Sequence, residues 1–193
     1  KKPNIGQDWE ASAQRQLVTI APQAREAFLL MAVEGFTKEE IGLILAKKPP
    51  EILALLDEAS KTIVDQVATD VLIIEDEPII AMDLEALVES LGHRVTGVAR
   101  TEQEAIKLAS TKRPGLVLAD IQLADGSSGI DAVNKMLLDF EVPVIFITAF
   151  PERLLTGEKP EPAFLITKPF MPDMVKAVVS QALFFDTKSR AAA

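Results

Sequence analysis

The chain has 193 residues, a formal net charge of −9 and no cysteine, so it suits one large domain or two small ones and excludes disulfides and thiolate metal sites. No apolar run approaches the roughly 18 residues of a membrane span, and no signal peptide opens the chain, which predicts a soluble, cytoplasmic protein. The first residue is not methionine and the last three are alanines, so we expect a stretch of a longer protein.

Residues 1–66 carry helical patterns throughout. Four apolar residues share one face of the first predicted helix: Trp9, Ala13, Leu17 and Ile20. Pro22 suits the first turn of a second helix, which is predicted to end at Gly35. Thr37 opens a third helix, because Glu40 lies three residues further on and completes a capping box. The apolar residues of that helix predicted to face inward are Ile41, Ile44 and Leu45.

A fourth helix is predicted over residues 50–67, which completes the outline of a helix-turn-helix. A helix that reads DNA needs Arg, Lys, Asn or Gln near its start. Residues 50–61 instead hold three acids, one lysine and no arginine, and residues 1–66 hold 8 Lys+Arg against 10 Asp+Glu, net −2. We therefore expect no DNA binding, and we expect the surplus apolar residues to contact a protein partner. These residues are Ile52, Leu53, Leu55 and Leu56.

Beyond residue 67, strand and helix patterns alternate. Near-continuous apolar runs predict buried strands over residues 71–74, 95–98, 116–119, 144–147 and 163–166. Helices are predicted over residues 78–91, from 101, over 129–139 and from 172. The alternation predicts a doubly wound parallel sheet with right-handed crossovers.

Local signals predict three details of this half. Thr101 and Glu104 predict a second capping box. His93, the single histidine, is predicted to lie on the surface. Residues 150–157 predict one or two helical turns, and prolines at 160 and 162 prevent continuation, so this helix is predicted to be short or irregular.

Polar side chains follow four of the predicted strands. Glu75 and Asp76 follow the first run, and Asp120, Thr148 and Lys168 come at or just past the ends of three later ones. Because ligands bind beyond the carboxyl ends of parallel strands, we expect these side chains to lie together. Carboxylates suit a hard cation such as Mg²⁺, and phosphoryl transfer needs positioning and charge neutralisation. The sequence thus predicts a site for a divalent cation and a phosphoryl group.

The strings IIEDEPII, LVLADIQL, FITAF and LITKPF resemble the receiver domain of two-component response regulators. The resemblance implies that Asp120 accepts a phosphoryl group from a sensor histidine kinase or phosphotransfer protein, with Thr148 and Lys168 holding the phosphoryl oxygens. The Mg²⁺ ligands it implies are Glu75 (through water), Asp76, Asp120 and the carbonyl of Gln122. Receivers often carry a switch aromatic three residues before the lysine. Leu165 stands there, and the nearest aromatic is Phe164.

The string APQAREAFLLMAVEGFTKEEIGLIL resembles region 4 of extracytoplasmic-function sigma factors. A sigma-like part followed by a receiver is similar to the PhyR-type regulators of the alphaproteobacterial general stress response. In that family, phosphorylation frees the sigma-like part to bind an anti-sigma factor (NepR-type), which releases a sigma factor. The resemblance implies a helical domain over 1–66 without its region-2-like half, a flavodoxin-like receiver over 67–187, and a tail over 188–193. Its output is binding, not catalysis.

Two other functions stay open. A DNA-binding response regulator would need a basic reading helix and usually places its receiver first. A phosphoryl-transfer or hydrolase enzyme on the same sheet would need a dedicated substrate pocket and an extra base, and the sequence contains no motif for either.

Overall fold

The structure, a computed structural model, describes residues 19–64, 68–154 and 163–191. The chain folds into two compact units, one holding Lys1–Val67 with Lys176–Ala193 and the other Ala68–Val175. The predicted limits of 67–187 for the receiver and 188–193 for a tail differ from this grouping and stay predictions. Among the residues described, no helix is long and apolar enough to span a bilayer. The predicted helix containing Trp9 lies outside the described residues.

Three described helices form the N-terminal part of the first unit: α1 (Pro22–Ala32), α2 (Lys38–Leu45) and α3 (Pro49–Val64). α1 begins at Pro22, as predicted, because a proline lacks only an N–H that the first turn leaves unpaired. The capping box at the start of α2 is confirmed. Thr37 Oγ1 accepts from the Glu40 N–H, and a Glu40 carboxylate oxygen accepts from the Thr37 N–H at 2.8 Å.

The inward face of α2 differs from the predicted one. Ile41 is buried, but Ile44 is 51% exposed and Leu45 is only half-buried, so the prediction for Ile44 is wrong. Gly42 is buried beside Ile41, which centres the inward face between these two residues. At about 100° per residue, Ile44 then points away from the core.

The apolar residues of α3 that are predicted to contact a partner are less exposed than expected, and their role in partner binding stays a prediction. Ile52 and Leu56 are buried, and Leu53 and Leu55 are half-buried. No large apolar side chain described on α3 is exposed. The sequence predicts an apolar stripe too wide for two short neighbours, and α3 packs against both α1 and α2.

The second unit is built on one parallel sheet. Its strands are β1 (Asp70–Ile74), β2 (Arg94–Ala99), β3 (Leu116–Ala119), β4 (Val144–Thr148) and β5 (Ala163–Thr167), in the order β2-β1-β3-β4-β5. All five predicted strands are confirmed, and the order is flavodoxin-like. β3 and β4 are buried at every residue, which explains why their sequences are continuous apolar runs and not alternating ones.

Helices connect the strands: α4 (Pro78–Ser90), α5 (Glu102–Thr111) and α6 (Gly129–Asp139), followed after β5 by α7 (Pro172–Ala191). After β4 the described chain forms a 3₁₀ turn, Pro151–Leu154. The short helix predicted from residue 150 begins there, and the rest of the predicted irregular segment, 155–162, lies outside the described residues. Buried side chains from one face of β1, β3 and β4 pack with those of α5 and α6 in one apolar cluster.

Of the local predictions for this unit, the capping box at Thr101 and Glu104 is wrong in part, and the surface position of His93 is wrong. Thr101 does cap α5, but the Glu104 carboxylate accepts from the Arg100 N–H at 2.8 Å, so the reciprocal half of the box is absent. His93 is buried, and its Nδ1 accepts from the Thr69 N–H at 3.3 Å. Burial lowers the pKa of His93. The polar turn around His93 in the sequence gives no sign of this contact with Thr69.

Candidate functional site

The five predicted site residues come from the carboxyl ends of four adjacent strands. The chain order reverses between β1 and β3, where open parallel sheets bind their ligands. Backbone hydrogen bonds extend the sheet into the site. The Asp120 N–H donates to the Ile74 carbonyl at 2.8 Å, and the Lys168 N–H donates to the Thr148 carbonyl at 2.9 Å. The functional side chains therefore stand on backbone that the sheet holds in place.

The centre of the site is an ion-paired lysine. Lys168 Nζ lies 2.8 Å from Glu75 Oε2 and 2.7 Å from Asp120 Oδ2. The two carboxylate side chains are 1% and 8% exposed, and that of Lys168 is 10% exposed. Charges held this far from water are stable only when paired. The site thus keeps two buried acids beside one buried cation.

Burial and pairing shift the pKa values of this cluster. Burial raises the pKa of Glu75, and the hydrogen bond from Lys168 offsets this only in part. Burial alone would lower the pKa of Lys168, but hydrogen bonds to Asp120 and Glu75 outweigh it and the pKa is raised. The two directions agree physically, because one ammonium serves more than one carboxylate and cannot neutralise them all.

The carboxylate of Asp120 is held at both oxygens. Oδ1 accepts from the Ile121 N–H at 2.6 Å, while Oδ2 accepts from Lys168. The chain then loops round and enters α6 at Gly129, whose N–H donates to the Ile121 carbonyl at 2.9 Å. A Cβ at this glycine would overlap the Asp120 carbonyl oxygen, so no side chain fits there. Gly129 thereby lets the loop close behind Asp120.

Thr148 completes the rim of the site. Its side chain is fully buried, and Oγ1 accepts from the Phe150 N–H at 3.1 Å. Thr148 therefore links the end of β4 to the 3₁₀ turn that follows. An open cleft of about 350 Å³ lies over the group and is lined by Asp76, Asp120, Gln122, Phe150 and Lys168, among others.

The acids fit a divalent cation by their donor chemistry. Glu75, Asp76 and Asp120 each offer a carboxylate oxygen, and these atoms all lie within 4.8 Å of one another. Hard cations prefer carboxylate oxygens, and this acid cluster is only partly offset by Lys168. Gln122 is exposed and lines the cleft, where its carbonyl stays a predicted ligand.

Sequence reasoning missed one residue of the site. Glu77 Oε1 lies 3.2 Å from Lys168 Nζ, and its N–H donates to Glu75 Oε1 at 3.0 Å. Its position directly after Glu75-Asp76, at the start of α4, was the available signal. The predicted switch aromatic remains a prediction. Phe164 is half-buried, whereas Leu165 is 43% exposed.

The predicted partner-binding residues do not form an exposed group. Ile52 and Leu56 are buried, and Leu53 and Leu55 are half-buried, as described above. The exposed large apolar side chains of the helical unit lie elsewhere among its described residues: at Val33, Phe36, Leu43 and Ile44.

Family comparisons match both units. Residues 17–66 match the family "Response regulator PhyR, sigma-like domain", and residues 71–180 match the response regulator receiver domain. The chain is 63% identical to the phyllosphere-induced regulator PhyR of Methylorubrum extorquens, over 92% of this chain and 67% of that protein.

Solved structures of similar proteins agree with these matches. PhyR from Brucella abortus has 55% sequence identity and a TM-score of 0.71, covering 95% of this chain and 86% of that one. A co-crystal structure of the anti-anti-sigma factor PhyR complexed with the anti-sigma factor NepR, from Bartonella quintana, has 60% identity and a TM-score of 0.51. It covers 92% of this chain and 73% of that one.

Proposed function

The chain belongs to the PhyR family of response regulators, and from this premise we propose that phosphorylation of Asp120 controls binding of an anti-sigma factor by the helical unit. The observation that carries the proposal is the pairing of Asp120 with Lys168, 2.7 Å apart, beside two further acids. That arrangement combines a carboxylate nucleophile, a cation for phosphoryl oxygens and ligands for a metal.

Asp120 attacks the phosphorus of a phosphohistidine on a sensor kinase or phosphotransfer protein. The new P–O bond forms as the P–N bond breaks, and the imidazole keeps the electron pair. Glu75, Asp76, Asp120 and the Gln122 carbonyl would hold Mg²⁺, which when bound offsets the charge of the phosphoryl oxygens. The nucleophile is a carboxylate oxygen, so this step calls for positioning and charge neutralisation more than for a general base.

Lys168 and Thr148 hold the transferred group. The Lys168 ammonium moves a hydrogen bond from the Asp120 carboxylate to a phosphoryl oxygen, and the Thr148 hydroxyl donates to another. Thr148 Oγ1 accepts from the Phe150 N–H, so a shift of this side chain pulls on the turn at Pro151–Leu154. Phosphate thereby biases a two-state equilibrium of the regulator.

The output is a change in binding, with no turnover of its own. A relative in complex with the anti-sigma factor NepR supports an anti-sigma partner for this chain. The acidic balance of residues 1–66, net −2 from 8 Lys+Arg against 10 Asp+Glu, disfavours DNA. Side chains available to a partner on the helical unit are Val33, Phe36, Leu43 and Ile44. We place the anti-sigma contact there, in place of α3.

The test joins labelling to binding. The chain is incubated with acetyl phosphate and Mg²⁺, intact mass reports phosphorylation, and calorimetry with a NepR-type protein reports affinity before and after. We expect one phosphoryl group, none in Asp120→Ala, and tighter binding after labelling of the wild type only. Labelling that persists in Asp120→Ala, or equal affinity in both states, would contradict the proposal.

A further inference from the structure

The ammonium of Lys168 has a third acidic partner. Besides Glu75 and Asp120, Nζ contacts Glu77 Oε1 at 3.2 Å. An ammonium has three N–H donors, and three carboxylates use them all. A phosphoryl oxygen can therefore gain a hydrogen bond from Lys168 only when one present partner gives way.

Glu77 is the partner best able to leave. Its side chain is 60% exposed, against 1% for Glu75 and 8% for Asp120, and its contact is the longest of the three. Water rehydrates an exposed carboxylate at little cost, whereas a buried one would lose its cationic partner with no water to replace it. Its N–H bond to Glu75 belongs to the backbone and would survive the departure of the side chain.

We propose that Glu77 competes with the incoming phosphoryl group for Lys168 and so limits phosphorylation by small anionic donors. This inference rests on the proposed function and names a residue that regulates the same site. Glu77 lines the same cleft as Asp120 and Lys168, so its negative charge also faces an approaching phosphate. A kinase that docks on the protein brings binding energy to displace it, whereas a small donor does not.

The reaction that tests this uses acetyl phosphate. Asp120 forms a bond to phosphorus as the P–O bond to the acetyl group breaks, and acetate leaves with the electron pair. In Glu77→Gln, the phosphoryl group no longer competes with a charged side chain for Lys168. The initial rate of labelling should therefore rise about two- to fivefold, the size expected for one exposed ion pair. Beryllofluoride, a phosphoryl mimic, should bind more tightly by a similar factor with Mg²⁺ present, which gives a readout without covalent transfer.

Two variants separate competition for Lys168 from a general charge effect. Glu89→Gln removes the same charge from an exposed position near the far end of α4 and should leave labelling unchanged. Glu77→Asp keeps the charge but is too short to hold Lys168, so it should label faster than the wild type, though less fast than Glu77→Gln because its charge still faces the phosphate. If Glu77→Asp behaves like the wild type, repulsion alone acts and the competition is refuted.

The proposed function and this inference fail in different ways. Equal rates for Glu77→Gln and the wild type, with labelling still lost in Asp120→Ala, would overturn the role of Glu77 alone. A wild type that takes no phosphate, or one labelled away from Asp120, would overturn the proposed function and the inference with it.

Discussion

The two units of this chain depart in different ways from the usual pattern of burial, in which charged side chains are exposed and large apolar ones are buried. The receiver unit buries charge at one sheet edge, where Glu75 and Asp120 are 1% and 7% exposed. The helical unit buries no carboxylate or cation among its described residues and exposes four large apolar side chains over residues 33–44, with Leu43 at 84%, although the receiver exposes such side chains too, Leu138 among them at 85%. Folding alone favours neither arrangement, since buried charge costs desolvation and exposed apolar surface loses the hydrophobic gain. The proposed function accounts for both exceptions: a phosphoryl group and a cation would contact the buried charges, and a protein partner would contact the exposed apolar side chains.

The largest expected effect is a loss of stability in Lys168→Met, which tests the buried charges of the receiver unit. Without its cation, the buried Glu75 and Asp120 stay uncompensated, and we expect urea unfolding to show a loss of about 3 kcal/mol. The variant should regain part of this stability as pH falls. Burial raises the pKa of Glu75 above its unfolded value, so the folded state takes up the proton first and is favoured by acidification through that range.

Lys135→Met provides the matched control for that variant. Lys135 pairs with Glu102 at the surface, with its side chain 58% exposed. An exposed pair contributes at most about 1 kcal/mol, so this variant should lose far less. Equal losses in the two lysine variants would show that the buried cluster does not depend on its cation.

A smaller effect should follow from the exposed residues of the helical unit. Leu43→Ser combined with Ile44→Ser should weaken binding of a NepR-type partner about tenfold or more, as loss of central apolar contacts does. Stability should change by no more than about 0.5 kcal/mol, since neither side chain is buried. Calorimetry and urea unfolding measure the two quantities.

The control for those substitutions lies on the receiver. Leu138 is 85% exposed on α6, and Leu138→Ser should leave partner affinity unchanged. If all three positions mattered equally, exposed apolar residues would carry no information about the partner surface, and the contrast between the units would lose its meaning.

The smallest effect should be the pH dependence that His93 introduces. Its folded-state pKa is lowered by burial, so between that value and about 6.5 the unfolded chain binds more protons. Stability should therefore fall as pH drops below about 6.5, and His93→Gln should flatten this slope in melts from pH 7.5 to 5. If the slope is unchanged in the variant, the pH dependence of stability comes from the carboxylates and not from His93.

Much of the receiver could be predicted from its sequence because a parallel sheet leaves a strong local record. A strand buried on both faces must be a continuous apolar run, so β3 and β4 appear directly in the sequence. The topology then brings the residues after those runs to one edge. Asp120, Thr148 and Lys168 followed from that rule together with the family resemblance.

The features that were missed depend on interactions between distant segments. Glu77 contacts Lys168, which lies 91 residues away in the chain. His93 accepts a hydrogen bond from the Thr69 N–H, 24 residues away. The exposure of Ile44 depends on where an eight-residue helix rests on its neighbours. Periodicity gives the faces of a helix but not which neighbour covers each one.

Gly129 has a consequence for any survey of substitutions in this protein. Gly129 has no side chain to touch phosphate or metal, and its N–H is bonded to the Ile121 carbonyl, yet every replacement there would push against the Asp120 carbonyl. Gly126, three positions earlier, has open space around it and demands only a left-handed backbone at φ 80, which asparagine tolerates. A saturation library scored for signalling should thus tolerate asparagine at 126 and glycine alone at 129. Position 129 would rank with Asp120, the proposed phosphoacceptor, and a genetic screen would count among the chemical residues one that has no side chain.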